Sequence, residues 1–268
     1  MNPFLTYVQG ITQNIQQAES LVVDGAKEEV SSEHKGLIFA PHPDDECIIG
    51  LLPLRLQREL HYQIVNVPMT FGSLKSRRAG RLGELTKACS YLGWHNHLQR
   101  DDLENLTTED VVRVLEHYKP RLIVFPHGND WNSRHVEVHH LLMQALRVMD
   151  ESFRCIVVEC EFWNTMETPN CMVEASEEDL ATLIAATSLH TEEVARNPYH
   201  LTLPAWMIDN VRRGAEIIGG QGGESPDFIY STLYRIQEWN GEQLSPLPHH
   251  QATIPQGEES LHQFKIWK

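Results

Sequence analysis

The chain has 268 residues, of which 41% are hydrophobic and 22% charged. That suits one large α/β domain, or one domain with a small appendage, built on a sizeable core. The formal net charge of −15 argues against a nucleic-acid or anionic-membrane surface, which would repel it, and no apolar run approaches a membrane-spanning length.

Residues 1–30 read as a helix on an N-terminal arm, with Phe4, Tyr7, Val8, Ile11 and Ile15 on one stripe. No basic region followed by an apolar core opens the segment, so no secretory signal is expected and the expected location is cytoplasmic. Residues 36–40, Gly-Leu-Ile-Phe-Ala, are an apolar run suited to a buried strand, which Pro41 and Pro43 end. A helix is expected over about 48–60, a second strand over 62–67, and a helix over 75–93 with Gly93 as its stop. Thr107 and Asp110 form a capping-box pattern that opens another helix. Residues 122–125 read as a strand, 135–149 as a helix and 155–158 as a further strand.

Strand and helix in repeated alternation imply parallel pairing through right-handed crossovers. The expected fold is therefore α/β: a Rossmann-like, doubly wound, mostly parallel sheet with helices on both faces. The C-terminal part reads as more helical. Leu180, Leu183 and Ile184 share one helix, and Pro204 is expected in the first turn of another that runs to Ile218. Residues 228–234 are expected as an edge strand, and the tail from Asn240 as irregular. The expected organisation is an arm over 1–30 and a single domain over 31–268. Its site lies in 36–140, and its substrate-pocket and tail elements lie in 176–268. Five cysteines without a C-x-x-C pair, mostly in apolar surroundings, read as free and reduced.

In such sheets the site lies beyond the carboxyl ends of the strands. That rule brings together the loops after Ala40 and after Phe125, the two richest in His, Asp and Asn. The first carries Pro41-His42-Pro43-Asp44-Asp45-Glu46. Successive acids at the end of an apolar strand are costly unless a positive group compensates them, and a divalent metal would. His42 and Asp45 can turn to one point, while Asp44 between them can face a water instead. Helix capping by Asp44 or Asp45 would account for one acid but not for His42, the prolines and the second loop together. That second loop runs from His127 to His140, with His135 and His139 on one helical face. Spacing does not decide which of these two completes a His-Asp-His set; His135, at the helix start, is better placed. His139 reads as a packed or hydrogen-bonded histidine one turn down, or as a helper, and His140 as solvent-exposed or supporting.

His42-Pro-Asp-Asp-Glu46 resembles the signature of the N-acetylglucosaminyl-phosphatidylinositol de-N-acetylase family, also called PIG-L or LmbE-like deacetylases. Arg81-Leu-Gly-Glu-Leu85 with Leu92-Gly93 resembles that family's R-x-x-E helix ending in L-G. Asn132-Ser-Arg-His135 falls where many members have H-x-D-H. The resemblance covers roughly residues 36–140, and more loosely residues 173–190. It implies that His42, Asp45 and His135 bind one Zn2+ per chain, that Asp44 is the general base, and that Arg81 helps hold a sugar. One position departs: Asn132 stands where the family has a histidine that helps stabilise an oxyanion. Asn132 keeps a hydrogen-bond donor without the charge, and His139 is an alternative helper. The donor set also suits iron or cobalt.

The expected activity is hydrolysis of an N-acetyl or N-acyl amide on an amino-sugar-containing small molecule. His190, at the end of a helix that should pack near the metal edge, is expected in the substrate pocket. The stretch from His190 to His200, dense in polar and aromatic groups, and the stretch from Trp206 to Arg213 are further candidates to line the pocket, with solvation or pairing the alternative for Arg196 and the preferred reading for Arg212 and Arg213. Competing readings are a deacylase of a non-sugar amide and a non-catalytic small-molecule-binding protein on the same fold. No nucleotide-binding G-x-G-x-x-G follows the first strand. No macromolecular partner is implied, while the arm and tail leave a homo-oligomer open.

Overall fold

Apolar runs without a polar face suit strands covered on both sides, and they occupy such positions in the structure. It is a computed structural model that describes residues 2–99 and 106–265. In chain order, α1 (Leu5–Ala18) precedes β1 (Lys35–Ala40), α2 (Asp45–Ile48), α3 (Leu51–Leu60) and β2 (Gln63–Pro68). Then come α4 (Arg78–Leu92), β3 (His95–Asn96), α5 (Thr108–Tyr118), β4 (Leu122–Pro126), α6 (Ser133–Val148) and β5 (Cys155–Cys160). The C-terminal part holds β6 (Cys171–Ala175), α7 (Glu177–Ser188), α8 (Thr191–Arg196) and α9 (Tyr199–Ile218). It ends with β7 (Tyr230–Trp239), β8 (Leu244–Pro246), β9 (Thr253–Ile254) and α10 (His262–Lys265).

The strand order is β3-β2-β1-β4-β5-β7-β6-β9, with β8 paired to β7. Strands β3 to β5 run parallel, and β7 runs antiparallel to both of its long neighbours, β5 and β6. The sheet is thus mixed and mostly parallel. Alternate residues of one strand face opposite layers. Ile38, Val124 and Ile156 pack with Leu52, Leu85 and Leu183 on one face. Leu37, Phe39, Ile123 and Val157 pack with Val111, Leu115 and Leu142 on the other. The chain order reverses between β1 and β4. Connections from these two neighbours therefore leave in opposite directions and open a crevice at their carboxyl ends.

Several elements differ from expectation. Helix α1 stops at Ala18, short of residue 30, and none of its residues is buried. Val22 and Val23 favour extended backbone, and Gly25 has φ +130°, which a helix cannot use. The segment that follows lies along α4, with Lys27 N–H donating to Ser90 O at 2.8 Å. Strand β7 is a central ten-residue strand rather than a short edge strand, and β6 beside it had no clear signal. Pro204 lies inside α9, not in its first turn, because the helix starts at Tyr199. The tail is not irregular: Leu247, Ile254, Leu261 and Phe264 are buried, while its residues 266–268 lie outside the described residues. All five cysteines are free and buried. Among the described residues, no helix is long and apolar enough to cross a membrane.

Candidate active site

Pro41 ends β1, and the chain turns sharply into α2. Asp44 carries the turn with φ 117°, a conformation that costs an L residue on the order of 1–3 kcal/mol. The turn folds Asp45 back onto the start of its own loop. Asp45 Oδ2 accepts the His42 backbone N–H at 2.9 Å and lies 3.3 Å from His42 Nδ1. From across the crevice, the first turn of α6 brings His135 Nε2 to 3.3 Å from the same oxygen. The three ligand atoms all lie within 4.8 Å of one another.

This donor set fits a divalent cation. Two ligands held at about 2.0–2.1 Å by a tetrahedral zinc lie roughly 3.3 Å apart. His135 Nε2 is buried and, among the described residues, makes no hydrogen bond, so it presents a nitrogen whose polar neighbour is Asp45. Its other nitrogen, Nδ1, lies 3.2 Å from Asp130 Oδ2, which fixes the ring as second contacts of metal-ligating histidines do. Asp45 Oδ1 accepts from Trp163 Nε1 at 3.0 Å, tying in the loop after β5. The charges agree with an acid-rich centre. Burial alone would neutralise His135, but Asp45 and Asp130 outweigh it and raise its pKa to about 10. Burial would raise Asp45, yet His135 and His42 hold it well below the usual carboxylate range. Asp44 goes the other way. Burial, then the Asp45 and Glu46 carboxylates, push it well above that range against the pull of Arg81.

Asp44, Asp45 and His42 open onto a cavity of about 310 Å³. Its walls include Trp163 and Tyr199, and Trp131 stands at its rim, 69% exposed. The Trp131 ring is tethered by its Nε1 to Trp163 O at 2.8 Å. Asn132 also lines the cavity, as the N-cap of α6. Its Oδ1 accepts the Arg134 N–H at 3.0 Å. Arg81 reaches the cavity too, but its guanidinium also braces the site. It donates to Phe71 O at 3.1 Å and Pro43 O at 3.3 Å and pairs with Glu193 at 3.0 Å.

The family model PIG-L, described as GlcNAc-PI de-N-acetylase, matches residues 37–146. That span holds the metal-type cluster, Asp44, Arg81 and Asn132. A comparison of the sequence with curated proteins gives no match. Among solved structures, the N,N'-diacetylchitobiose deacetylase of Pyrococcus horikoshii superposes with a TM-score of 0.60 at 14% identity, over 92% of this chain and 99% of its own. The 4-carboxy-2-hydroxymuconate hydratase of Pseudomonas putida also gives 0.60 at 14% identity, over 76% of this chain and 95% of that one. A teicoplanin deacetylase, solved in a zinc-inhibited form, gives 0.57 at 12% identity over 75% and 97%. At such identities these likenesses establish the α/β fold alone.

Two expected helpers lie elsewhere. His139 sits one turn beyond His135 and turns away from the crevice. Its Nδ1 lies 3.2 Å from Pro126 O and 3.3 Å from Glu159 Oε1, and it lines a separate cavity with His127 and Arg235. It does not reach the cavity at Asp44, because four residues along a helix advance it by a full turn. His190 is fully buried and lies 2.8 Å from Glu46, behind the metal-type cluster rather than in the pocket. Arg196 does line the cavity. Arg212 and Arg213 are paired, with Asp209 at 2.8 Å and Glu161 at 2.5 Å. Asp130 and Trp163 went unmarked as site residues, Asp130 having its only signal as an acid five positions before His135, whereas Glu193 and Tyr199 belong to the 190–200 stretch expected at the pocket and do line it.

Proposed function

We propose that this protein is a zinc-dependent N-deacetylase that releases acetate and a free amine from an amino-sugar-containing small molecule. The observation that carries this reading is the convergence of His42, Asp45 and His135, with His42, Asp45 and the neighbouring Asp44 on the wall of one cavity. The PIG-L match and the deacetylases among the structural neighbours support it. The fold alone would not choose it, since a hydratase shares that fold at the same TM-score.

His42, Asp45 and His135 would hold the cation. When bound, it supplies Lewis acidity toward an amide carbonyl and toward water. Asp44 receives the proton of the attacking water and returns it to the departing nitrogen, which turns a poor leaving group into an amine. Its raised proton affinity suits both transfers. Asn132 has its carbonyl end committed to Arg134 and offers its NH2 to the oxygen that gains charge. Trp131, Trp163 and Tyr199 supply apolar faces for a sugar ring, and Arg81, Arg196 and Glu193 supply polar partners for hydroxyls.

The test is amine and acetate release from a panel of N-acetylated mono- and disaccharides and N-acyl amino acids, with zinc-loaded protein. The sugars are the expected substrates. Asp44→Asn should keep its zinc and lose at least about a hundredfold in kcat, whereas Asp45→Ala should lose the metal. Zinc-loaded protein that releases no amine from any amide would overturn the reading. Turnover of the N-acyl amino acids alone would transfer it to a non-sugar deacylase.

A further inference from the structure

We propose that Glu46 and His190 form a buried brace that fixes the peptide of Asp44, and so act as positioning residues for its proton transfers. The proposal rests on Asp44 being the proton acceptor described above. Its geometry stands independently of that.

Asp44 holds φ 117° and ψ −35°, a region that residues with a Cβ avoid. Such a conformation persists only where the surroundings over-determine it. Its peptide is held at both ends. The Asp44 carbonyl accepts the N–H groups of Cys47 at 3.1 Å and Ile48 at 3.2 Å. The Asp44 N–H donates to Glu46 Oε2 at 2.9 Å. The other oxygen, Glu46 Oε1, lies 2.8 Å from His190 Nε2 and accepts from Cys47 Sγ at 3.2 Å. Glu46 and His190 are both 0% exposed. Burying a carboxylate is costly unless every lone pair is used, and here each oxygen has a donor. Among the described residues His190 Nδ1 has no hydrogen-bond partner, so the ring's polar contacts are those of Nε2, with Glu46 and, at 3.8 Å, Cys47 Sγ.

The brace comes from far along the chain. His190 is the N-cap residue of α8, its N–H donating to Thr187 O at 3.1 Å. One turn on, Glu193 lines the cavity and pairs with Arg81, which itself donates to Pro43 O. Helix α8 thus grips the Asp44 turn from two sides: behind, through His190 and Glu46, and in front, through Glu193 and Arg81. With its peptide fixed, Asp44 presents its carboxylate to the cavity while Asp45, the next residue, serves the metal-type cluster. Two adjacent carboxylates can hold separate tasks only if the backbone between them does not relax. Glu46, Cys47 and His190 also place three ligand atoms within 4.8 Å of one another. The Glu46–His190 contact of 2.8 Å is shorter than the roughly 3.3 Å between two ligands of a tetrahedral zinc.

The test uses zinc-loaded full-length protein carrying His190→Ala, His190→Gln or Glu46→Gln. Zinc content, KM and kcat on an acetylated sugar, and the crystal structure at Asp44 are measured for each. His190→Ala and Glu46→Gln should retain one zinc per chain and a KM within about threefold, yet lose roughly tenfold or more in kcat. Asp44 should relax to negative φ in both. His190→Gln, whose amide N–H can replace Nε2–H, should restore most of kcat and the positive φ. Unchanged kcat, or positive φ at Asp44 in a folded His190→Ala or Glu46→Gln protein, overturns the brace. So does a second zinc in the parent protein that is absent from these variants. If His190→Ala does not fold, the isosteric Glu46→Gln decides. A parent protein without hydrolytic activity would defeat the deacetylase reading, while the backbone at Asp44 would still report on the brace.

Discussion

His135 shows how much of this site is made by groups that would never touch a substrate. Its Nε2 is turned toward Asp45 because Asp130 holds Nδ1 from behind. Asp130 also accepts the Asn132 N–H at 2.8 Å, so one carboxylate orients both a candidate ligand and the candidate oxyanion donor. Asp130→Ala should therefore weaken zinc binding by about 10- to 100-fold. Competition with a chelator of known affinity measures this, and unchanged affinity would show that ring orientation is set by packing alone. At this scale the sequence was informative where the chemistry is local. His42, Asp44 and Asp45 are adjacent, and the turn that unites them is written in the two prolines. His135 was favoured over His139 by its place at the helix start, and the structure brings His135 to Asp45. Trp163 was not legible, since it arrives from the distant loop after β5 and no local pattern marks an aromatic residue as a wall, while Glu193 and Tyr199 were legible only as members of the polar and aromatic stretch 190–200. His190 was legible as close to the metal edge, but not its burial behind that edge.

Elements were readable where one side chain decides one boundary. Thr107 and Asp110 satisfy each other's backbone donors at the start of α5. Gly93 ends α4 at φ 70°, where a Cβ would also meet Glu28 O at 2.8 Å. Removing the cap should cost stability without touching chemistry, because α5 supplies no residue to the cavity. Thr107→Ala should lower stability by about 1 kcal/mol in denaturant unfolding, with kcat and zinc content unchanged. A loss much above about 2 kcal/mol would mean that the Thr107 side chain does more than cap. Strand β7 was misjudged for a physical reason. Its sequence, with Arg235, Gln237 and Glu238 among apolar residues, has the alternation of a strand half open to water. Yet Arg235 is paired with Glu159 on the neighbouring β5, inside the sheet. Alternation reports polarity, and a paired charge looks the same in sequence whether it lies at an edge or at a centre.

At the scale of the whole molecule, the metal-type cluster joins parts of the chain that the fold otherwise separates. His42 and Asp45 follow β1, and His135 opens the helix that follows β4. Those two connections diverge at the point where strand order reverses. Without a cation, the centre relies on contacts between His135 and Asp45 at 3.3 Å and on the Trp163 hydrogen bond. A cation held by all three side chains can form only when both connections are in their native places. It therefore binds the folded chain and not the unfolded one, and linkage fixes the sign: zinc raises stability. At a free zinc concentration a hundred times the dissociation constant, the gain is about 2.7 kcal/mol. For a chain of this size that corresponds to a rise in Tm of roughly 5–10 °C. Thermal unfolding with zinc and with excess chelator measures the difference. Asp45→Ala should abolish the difference, because it removes the oxygen that both imidazoles face. Asp44→Asn should keep it, because Asp44 is assigned to the proton and not to the metal. A zinc-dependent rise in Tm that survives Asp45→Ala would move the cation to another part of the molecule.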